Sequence, residues 1–272
     1  MKLSLNNTLY LLVVTLFLAA CGDGNETPPV SGNDPNLVRP RLITYSIVNT
    51  YPHDTALYTQ GLEFYKGKLY EGTGSGSYAG SFLLEMDYTT GKSNRRIKLA
   101  DEFFGEGITV VNDTLYQLTW QNKKVFAYDV ASFKKIAEYS INTEGWGLTN
   151  NGKELIVSDG TSVLYYYEPG TFRMLRSQTV MEAGKLTSNL NELEFVDGYV
   201  YANQYQLPYV LKIDPSNGQI VGKIDLTDLW TRARALQPTV DVPNGIAYDS
   251  TKKSFFLTGK LWPEMYEVKF GE

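Results

Sequence analysis

The sequence contains very little of what most metal sites and covalent nucleophile sites require. Its 272 residues include one cysteine, Cys21, and one histidine, His53. A single cysteine near the N-terminus leaves the folded domain without a disulfide or a thiol nucleophile. One histidine is too few for a typical zinc site, and no Ser-His-Asp triad is evident, since a histidine in the loop after the first strand is more often a surface residue than a base. We therefore expect no metal ion and no other cofactor, and we expect His53 at the surface.

Long runs of charge and long apolar segments are also missing from most of the chain. The formal net charge is −5 and the charged residues are scattered, so no basic face for nucleic acid is predicted. Beyond the N-terminus, no 18 consecutive residues are apolar, which predicts no transmembrane helix. The chain has instead 20 tyrosines and 24 glycines, a composition typical of many short strands joined by tight turns.

The first 21 residues are typical of a bacterial lipoprotein signal peptide. Lys2 gives a positive start, residues 9–20 form an apolar stretch too short to span a membrane, and Ala19 and Ala20 precede Cys21. We expect lipidation of Cys21 in an exported lipoprotein, held in the periplasm or at the outer membrane by its lipid anchor only. The alternative is an ordinary signal peptide with an incidental cysteine. Residues 22–39, rich in Gly, Asn, Asp and Pro, are predicted to form a flexible tether.

The rest of the chain is dominated by a repeated pair of short strands. In the first copy, Gly61–Phe64 and Leu69–Glu71 flank a turn at Lys66–Lys68, and further strands follow. Successive copies start 46, 40, 45 and 53 residues apart, which is the length of a four-stranded propeller blade. The five copies begin at Gly61, Gly107, Gly147, Glu192 and Gly245.

The ends of the chain predict how a ring of blades closes. The fifth copy stops after its third strand, and a spare strand at Leu42–Val48 precedes the first copy. A spare strand that completes the last blade leaves no long edge unpaired. We therefore predict an all-β fold for residues 40–272, a five-bladed β-propeller closed by an N-terminal strand. Such a ring needs no partner chain, and we expect a monomer.

Residues in register on successive blades of a propeller surround one central channel. The residues just before each repeat start form one set: Gln60, Glu106, Trp146, Asn191 and Asn244. The far ends of the second strands form another, with a longer turn allowed in the last copy: Gly74, Trp120, Gly160, Tyr205 and Lys260. Aromatic walls with a few convergent polar groups are typical of a small-molecule pocket.

Each of these residues also has a structural explanation, which the sequence leaves open. Trp120 and Trp146 are core residues that fill the channel in one alternative. Glu106 and Lys260 form a structural ion pair in another, and the two asparagines cap turns in a third. The shared register, and not any one residue, favours the pocket. Within it, Glu106 is the candidate general acid–base.

Seven segments of the chain carry a more specific signal. They are Tyr58–Leu62, Phe104–Gly107, Gly145–Leu148, Ser158–Ser162, Leu190–Glu194, Asn244–Ala247 and Thr258–Pro263. Taken in this order, they resemble the plant-type glutaminyl-peptide cyclotransferases, a propeller family also found in bacteria. The similarity extends from about Tyr58 to the C-terminus.

The resemblance implies roles for the residues of the predicted pocket. Glu106 corresponds to the proton shuttle. The groups implied to hold the substrate's amide and carbonyl oxygens are Gln60, Asn191 and Lys260, and the implied aromatic lining is Phe104, Trp120 and Trp146. Two positions depart from the family pattern: Tyr205 replaces a tryptophan and Tyr58 replaces a phenylalanine. Both keep an aromatic surface and add a hydroxyl, which affects the expected substrate preference more than the expected reaction.

The implied reaction converts an N-terminal glutaminyl residue of a peptide or protein to pyroglutamate and releases ammonia. Two alternatives from other classes stay open at this stage. One is a lactonase-like propeller hydrolase with calcium on Glu106, Asn191 and Asn244, although Lys260 in the same funnel disfavours a dication. The other is a non-catalytic propeller that binds peptide ends.

Overall fold

The structure, a computed structural model, describes residues 37–75 and 80–271. The predicted signal peptide, the lipidation site Cys21 and most of the predicted tether lie outside the described residues. Within those two ranges the chain is mostly β-strand with one α-helix, and no helix there is long and apolar enough to cross a membrane.

The first three blades are four-stranded antiparallel sheets whose strands follow one another along the chain. Two N-terminal strands come before them: β1 (Arg41–Leu42) and β2 (Tyr45–Pro52). The first blade contains β3 (Tyr58–Tyr65), β4 (Lys68–Gly74), β5 (Phe82–Asp87) and β6 (Lys92–Lys98). The second contains β7 (Gly105–Val111), β8 (Thr114–Thr119), β9 (Lys124–Asp129) and β10 (Lys134–Ser140). The third contains β11 (Leu148–Asn150), β12 (Leu155–Ser158), β13 (Val163–Tyr167) and β14 (Met174–Thr179).

The last two blades carry additions that the sequence analysis did not predict. A short hairpin precedes the fourth blade: β15 (Met181–Glu182) and β16 (Lys185–Leu186). The fourth blade contains β17 (Leu190–Val196), β18 (Tyr199–Gln204), β19 (Tyr209–Ile213) and β20 (Ile220–Asp225). Helix α1 (Thr227–Leu236) leads to the fifth blade, which contains β21 (Pro243–Asp249), β22 (Ser254–Gly259) and β23 (Glu264–Phe270). The helix, which buries Leu229 and Ala233, accounts for the longest repeat spacing.

The ring closes as predicted, with different strand bounds. Strand β2 pairs antiparallel with β23, from Tyr45 opposite Phe270 to Pro52 opposite Glu264. The predicted five-bladed β-propeller and its N-terminal closing strand are therefore confirmed. The predicted bounds were wrong, because Arg41–Leu42 pairs in parallel with β20 of the fourth blade and the closing strand begins only at Tyr45. The chain thus crosses from one blade to the next within the predicted strand.

Turn chemistry and apolar packing explain why this sequence adopts the ring. Three inner hairpins have positive φ at both central turn residues, as type I′ turns require: Lys66–Gly67, Asn112–Asp113 and Asp197–Gly198. Five buried hydrophobic clusters follow, one between each pair of neighbouring blades. Burial of apolar surface between blades is the main stabilising term of such a ring, and it fixes the inner strands around the channel.

Candidate active site

One cavity of about 380 Å³ lies where the predicted residues meet. That volume is in the range of sites that enclose a small ligand. Its lining consists of Tyr58, Gln60, Ser75, Phe104, Glu106, Trp120, Trp146, Asn191, Tyr205 and Lys260. The structure therefore brings nine of the predicted substrate and catalytic residues together. It adds Ser75, and it leaves Asn244 outside the lining.

Breaks in strand pairing turn the inner-strand residues toward the channel. The pairing register shifts at Gln60 in β3, at Glu106 in β7, at Asn191 in β17 and at Asn244 in β21. A β-bulge of this kind adds a residue to one strand and redirects a side chain. In the third blade β11 starts later, and Trp146 enters from the preceding loop. The four polar residues that precede a repeat start therefore lie at equivalent positions of their blades, each at a bulge of the first strand.

Five aromatic rings surround the cavity in two groups. Tyr58 meets Phe104 edge-on at 6.3 Å between ring centroids, and Phe104 meets Trp120 at 5.7 Å. On the other side, Trp146 meets Tyr205 at 5.5 Å. Edge-to-face contacts of this kind stabilise an aromatic cluster beyond the area that it buries. The five rings make an apolar wall that surrounds the polar groups.

Glycines at the far ends of two second strands leave room for these rings. A Cβ atom on Gly74 would lie 2.2 Å from the ring of Phe104, and one on Gly160 would lie 2.6 Å from the ring of Trp146. Both distances are far below van der Waals contact. Gly74 and Gly160 therefore make room for Phe104 and Trp146, and they contribute no side chains to the lining.

Lys260 lies between the two aromatic groups and completes the wall on that side of the cavity. Its Nζ is 4.7 Å from the centre of the Tyr58 ring and 4.9 Å from that of Tyr205, within cation–π range. The residue is only 2% exposed. Burial lowers the pKa of its ammonium, and the negative charges of Glu106 and Asp241 oppose that shift in part. Lys260 therefore places a buried amino group in the same cavity wall as the candidate catalytic carboxyl group.

Glu106 is a buried carboxylate whose bonding capacity is unused. It is 4% exposed, and its Oε2 has no hydrogen-bond partner. Burial raises its pKa well above the usual range, Lys260 opposes this, and the charge of Glu144 adds to it. Glu106 and Lys260 influence each other through space but do not form a salt bridge. The structural ion pair considered from the sequence is therefore not formed.

Asn244 supports the cavity from behind. Its Nδ2 donates to the Thr59 carbonyl at 2.9 Å and to Gln60 Oε1 at 3.2 Å. Asn244 is absent from the cavity lining, because its amide nitrogen is directed toward the neighbouring inner strand, and direct substrate binding by this residue stays a prediction. Asn244 instead orients Gln60, which does line the cavity.

His53 is buried, so its predicted surface location is wrong. It follows β2 directly, where its Nδ1 lies 2.9 Å from the Trp262 carbonyl and its Nε2 lies 3.2 Å from Glu71 Oε2. A carbonyl oxygen can only accept, so Nδ1 donates to Trp262, and Nε2 faces the Glu71 carboxyl group. Burial opposes protonation, but the Glu71 carboxylate outweighs it and the pKa of His53 is raised. The residue is not part of the cavity lining.

Two acidic residues next to the cavity were not predicted from the sequence. Asp241 accepts a 2.7 Å hydrogen bond from the Tyr58 hydroxyl, and Glu144 accepts hydrogen bonds from two tryptophan indoles of the wall. A signal for Glu144 was present, because it lies three residues before a repeat start, as do Tyr58 and Phe104. Within residues 37–75 and 80–271, no three His, Cys, Asp or Glu side chains are grouped so as to hold a metal ion.

The sequence and the fold are similar to those of known proteins. A family model described as glutamine cyclotransferase matches residues 13–270. The chain belongs to the glutamine cyclotransferase family. The glutaminyl-peptide cyclotransferase of Arabidopsis thaliana is 37% identical over 236 residues, which are 84% of this chain and 72% of the relative. The crystal structure of Myxococcus xanthus glutaminyl cyclase superposes with a TM-score of 0.79 at 34% identity, covering 85% of this chain and 98% of the other.

These matches confirm the resemblance predicted from the seven segments. The family is one of transferases, so the chain is an enzyme of the acyltransferase class. The roles of individual cavity residues stay predictions, and the geometry above is what supports them.

Proposed function

We propose that this chain cyclises N-terminal glutaminyl residues of peptides or proteins to pyroglutamate, releasing ammonia, with Glu106 as the proton carrier. The observation that carries the proposal is a buried carboxylate in the wall of a ligand-sized cavity, with one oxygen that lacks a hydrogen-bond partner. A carboxyl group whose pKa is raised toward the operating pH is suited to general base catalysis. The reaction is the one after which the family and the Arabidopsis relative are named.

The proposed steps balance without any other reactant. The substrate's α-amine attacks the carboxamide carbon of its own side chain, so one carbon–nitrogen bond forms and the bond to the carboxamide nitrogen breaks. Glu106 takes a proton from the attacking amine and delivers it to the departing nitrogen, which leaves as ammonia. Such a shuttle typically contributes about 10²–10⁴-fold in rate. Because the reaction is intramolecular, the cavity contributes mainly by holding the near-attack conformer.

The remaining cavity residues are proposed to bind and to stabilise charge. Lys260 and Asn191 face the negative charge that builds up on the carboxamide oxygen, and Gln60 holds a substrate amide or carbonyl group. The aromatic rings exclude water and so strengthen these interactions. With Glu106 moving the proton and Lys260 stabilising the charge, the proposed reaction needs no metal ion.

We also propose that the enzyme is an exported lipoprotein. The small residues before Cys21 support a lipidated N-terminus, and the composition of residues 22–39 supports a tether to a membrane at the periplasm or outer membrane. Pairing of β2 with β23 closes the ring of described strands, which supports a monomer. Loss of lipid labelling in Cys21→Ala, and the mass of the chain lacking residues 1–21 in solution, test the two points.

The deciding experiment measures ammonia release from a glutaminyl dipeptide by the chain lacking residues 1–21. We expect activity that persists in excess chelator and falls by about 10²–10⁴-fold in Glu106→Gln. A dipeptide with an acetylated α-amine is the matched substrate control, because it cannot attack its own side chain. Absence of ammonia release by the folded wild type contradicts the proposed function, and loss of activity in chelator contradicts metal independence.

A further inference from the structure

One carboxylate oxygen joins the two groups of aromatic rings. Glu144 Oε2 accepts a hydrogen bond from Trp120 Nε1 at 2.7 Å and another from Trp146 Nε1 at 3.2 Å. Trp120 belongs to the group with Phe104, and Trp146 belongs to the group with Tyr205. Hydrogen bonds to an ionised acceptor are shorter and stronger than those between neutral groups. We call this arrangement the Glu144 bridge.

The Glu144 bridge completes a closed circuit around the cavity. Lys260 joins the two aromatic groups on one side through cation–π contacts with Tyr58 and Tyr205, and Glu144 joins them on the other. Trp120 is 36% exposed, so its packing against Phe104 covers only part of the indole. The hydrogen bond to the carboxylate restrains the ring in addition to that packing.

We propose that Glu144 is a positioning residue that holds the Trp120 and Trp146 walls of the cavity in the orientation that binds substrate. This inference rests on the proposed function and adds a residue that does not line the cavity. The carboxylate acts through the two indoles, so its loss affects substrate binding before it affects the chemical step. Glu144 belongs to none of the seven segments that carry the family resemblance. Its role is inferred from its hydrogen bonds to the two indoles.

The same carboxylate has a second effect through space. The groups that influence the charge of Glu106 are Lys260, which favours the ionised form, and Glu144, which disfavours it, and the Tyr58 phenol also faces Glu106. Removing the charge of Glu144 therefore lowers the pKa of Glu106. The acid limb of the pH–activity profile is expected to move to lower pH, because Glu106 then ionises more readily.

Two variants separate the hydrogen bonds from the charge. Glu144→Gln keeps an acceptor oxygen for the indoles, and Glu144→Ala removes both the acceptor and the charge. We expect Glu144→Ala to raise KM about tenfold with kcat reduced less than about threefold. Glu144→Gln should keep KM within about threefold of wild type and move the acid limb to lower pH. Glu138→Gln, an exposed carboxylate on β10 of the second blade, is the control for loss of one charge and should change neither quantity.

A second readout does not depend on catalysis. The indole N–H signals of Trp120 and Trp146 in ¹⁵N NMR spectra should both shift in Glu144→Ala and less so in Glu144→Gln. Wild-type indole signals and wild-type KM in a folded Glu144→Ala overturn the inference. A KM in Glu144→Gln that rises as far as in Glu144→Ala also overturns it, because the acceptor oxygen would then not be what positions the rings. An inactive wild type contradicts the proposed function alone, since the indole signals still decide whether the Glu144 bridge exists.

Discussion

Gly160, which packs against the ring of Trp146, allows a steric test of the cavity in which no lining residue is replaced. Gly160 has φ of +79°, and a Cβ placed on it would lie 2.6, 2.7 and 2.8 Å from three atoms of the Trp146 ring. Ordinary contact between carbon atoms begins near 3.5 Å, so Gly160→Ala forces the indole to retreat by roughly 0.9 Å. Because the indole is a cavity wall, the displacement should reach the bound substrate.

The size of the effect follows from two separate costs. An alanine at positive φ costs about 1–2 kcal/mol of backbone strain, which lowers Tm by several degrees in a chain of this size. Displacement of a positioning group by about 1 Å costs up to about 10²-fold in rate. We expect kcat/KM of Gly160→Ala to fall between about 10- and 100-fold, with an added loss of stability.

A glycine in the same blade supplies the control. Gly152 has φ of +81°, and a Cβ there would meet nothing within 4 Å. Gly152→Ala therefore carries the same backbone strain without the clash, and its kcat/KM should stay within about threefold of wild type. The assay is ammonia release alongside thermal unfolding of both variants. Equal activity in the two variants would refute the reasoning, because it would mean that the position of Trp146 does not matter to the reaction.

Three further predictions concern the groups around the cavity. Lys260→Met should lower kcat/KM by about 10²–10³-fold, as removal of a charge-stabilising donor does in other enzymes, measured by steady-state kinetics. Asn244→Ala should raise KM about three- to tenfold while Glu106 chemistry persists, because Gln60 loses its amide donor. The pKa of His53 is raised in the folded chain, so its pairing with Glu71 stabilises fully below the unfolded pKa of about 6.5 and is lost as the pH rises through the folded value. The difference in urea unfolding free energy between wild type and His53→Gln should therefore shrink with rising pH, and a constant difference would contradict the pairing.

The fold was predictable because its determinants are local and repeated. The strand-pair pattern appears in the sequence five times at four blade-length spacings, and each copy reinforces the others. Helix α1 was not predicted, since it occurs once and only its extra length in the last spacing indicates it. The first and last residues of the closing strand could not be predicted from local sequence patterns either. Which blade takes up Arg41 and Leu42 depends on the path of the chain between two sheets.

The site was predictable where residues at equivalent positions of successive repeats lie close together in the folded chain. Three residues that precede a repeat start, Gln60, Glu106 and Asn191, line the cavity where bulges redirect them, and Trp146 reaches it from a loop. The position of a residue in the repeat does not determine the direction of its side chain after a bulge. Asn244 was therefore predicted to bind substrate, although its amide nitrogen donates to Gln60. His53 was misassigned because its burial depends on Glu71 of β4 and on Trp262 of the connection between β22 and β23, which are distant in the sequence. Glu144 shared the register of Tyr58 and Phe104, but its partners are two indoles that only the folded ring brings together.

Burial shifts the pKa values of Glu106 and Lys260 in opposite directions, which bears on the proton transfer proposed for the cavity. Burial is the largest cause for both groups, and it favours the neutral form of each, raising the pKa of the acid and lowering that of the base. The two values are therefore closer together than in water, where a carboxylic acid and an ammonium differ by about six units. A direct salt bridge would oppose both shifts by stabilising the two charges. In the proposed mechanism, the separation of Glu106 from Lys260 therefore leaves the carboxylate more basic than a salt-bridged one.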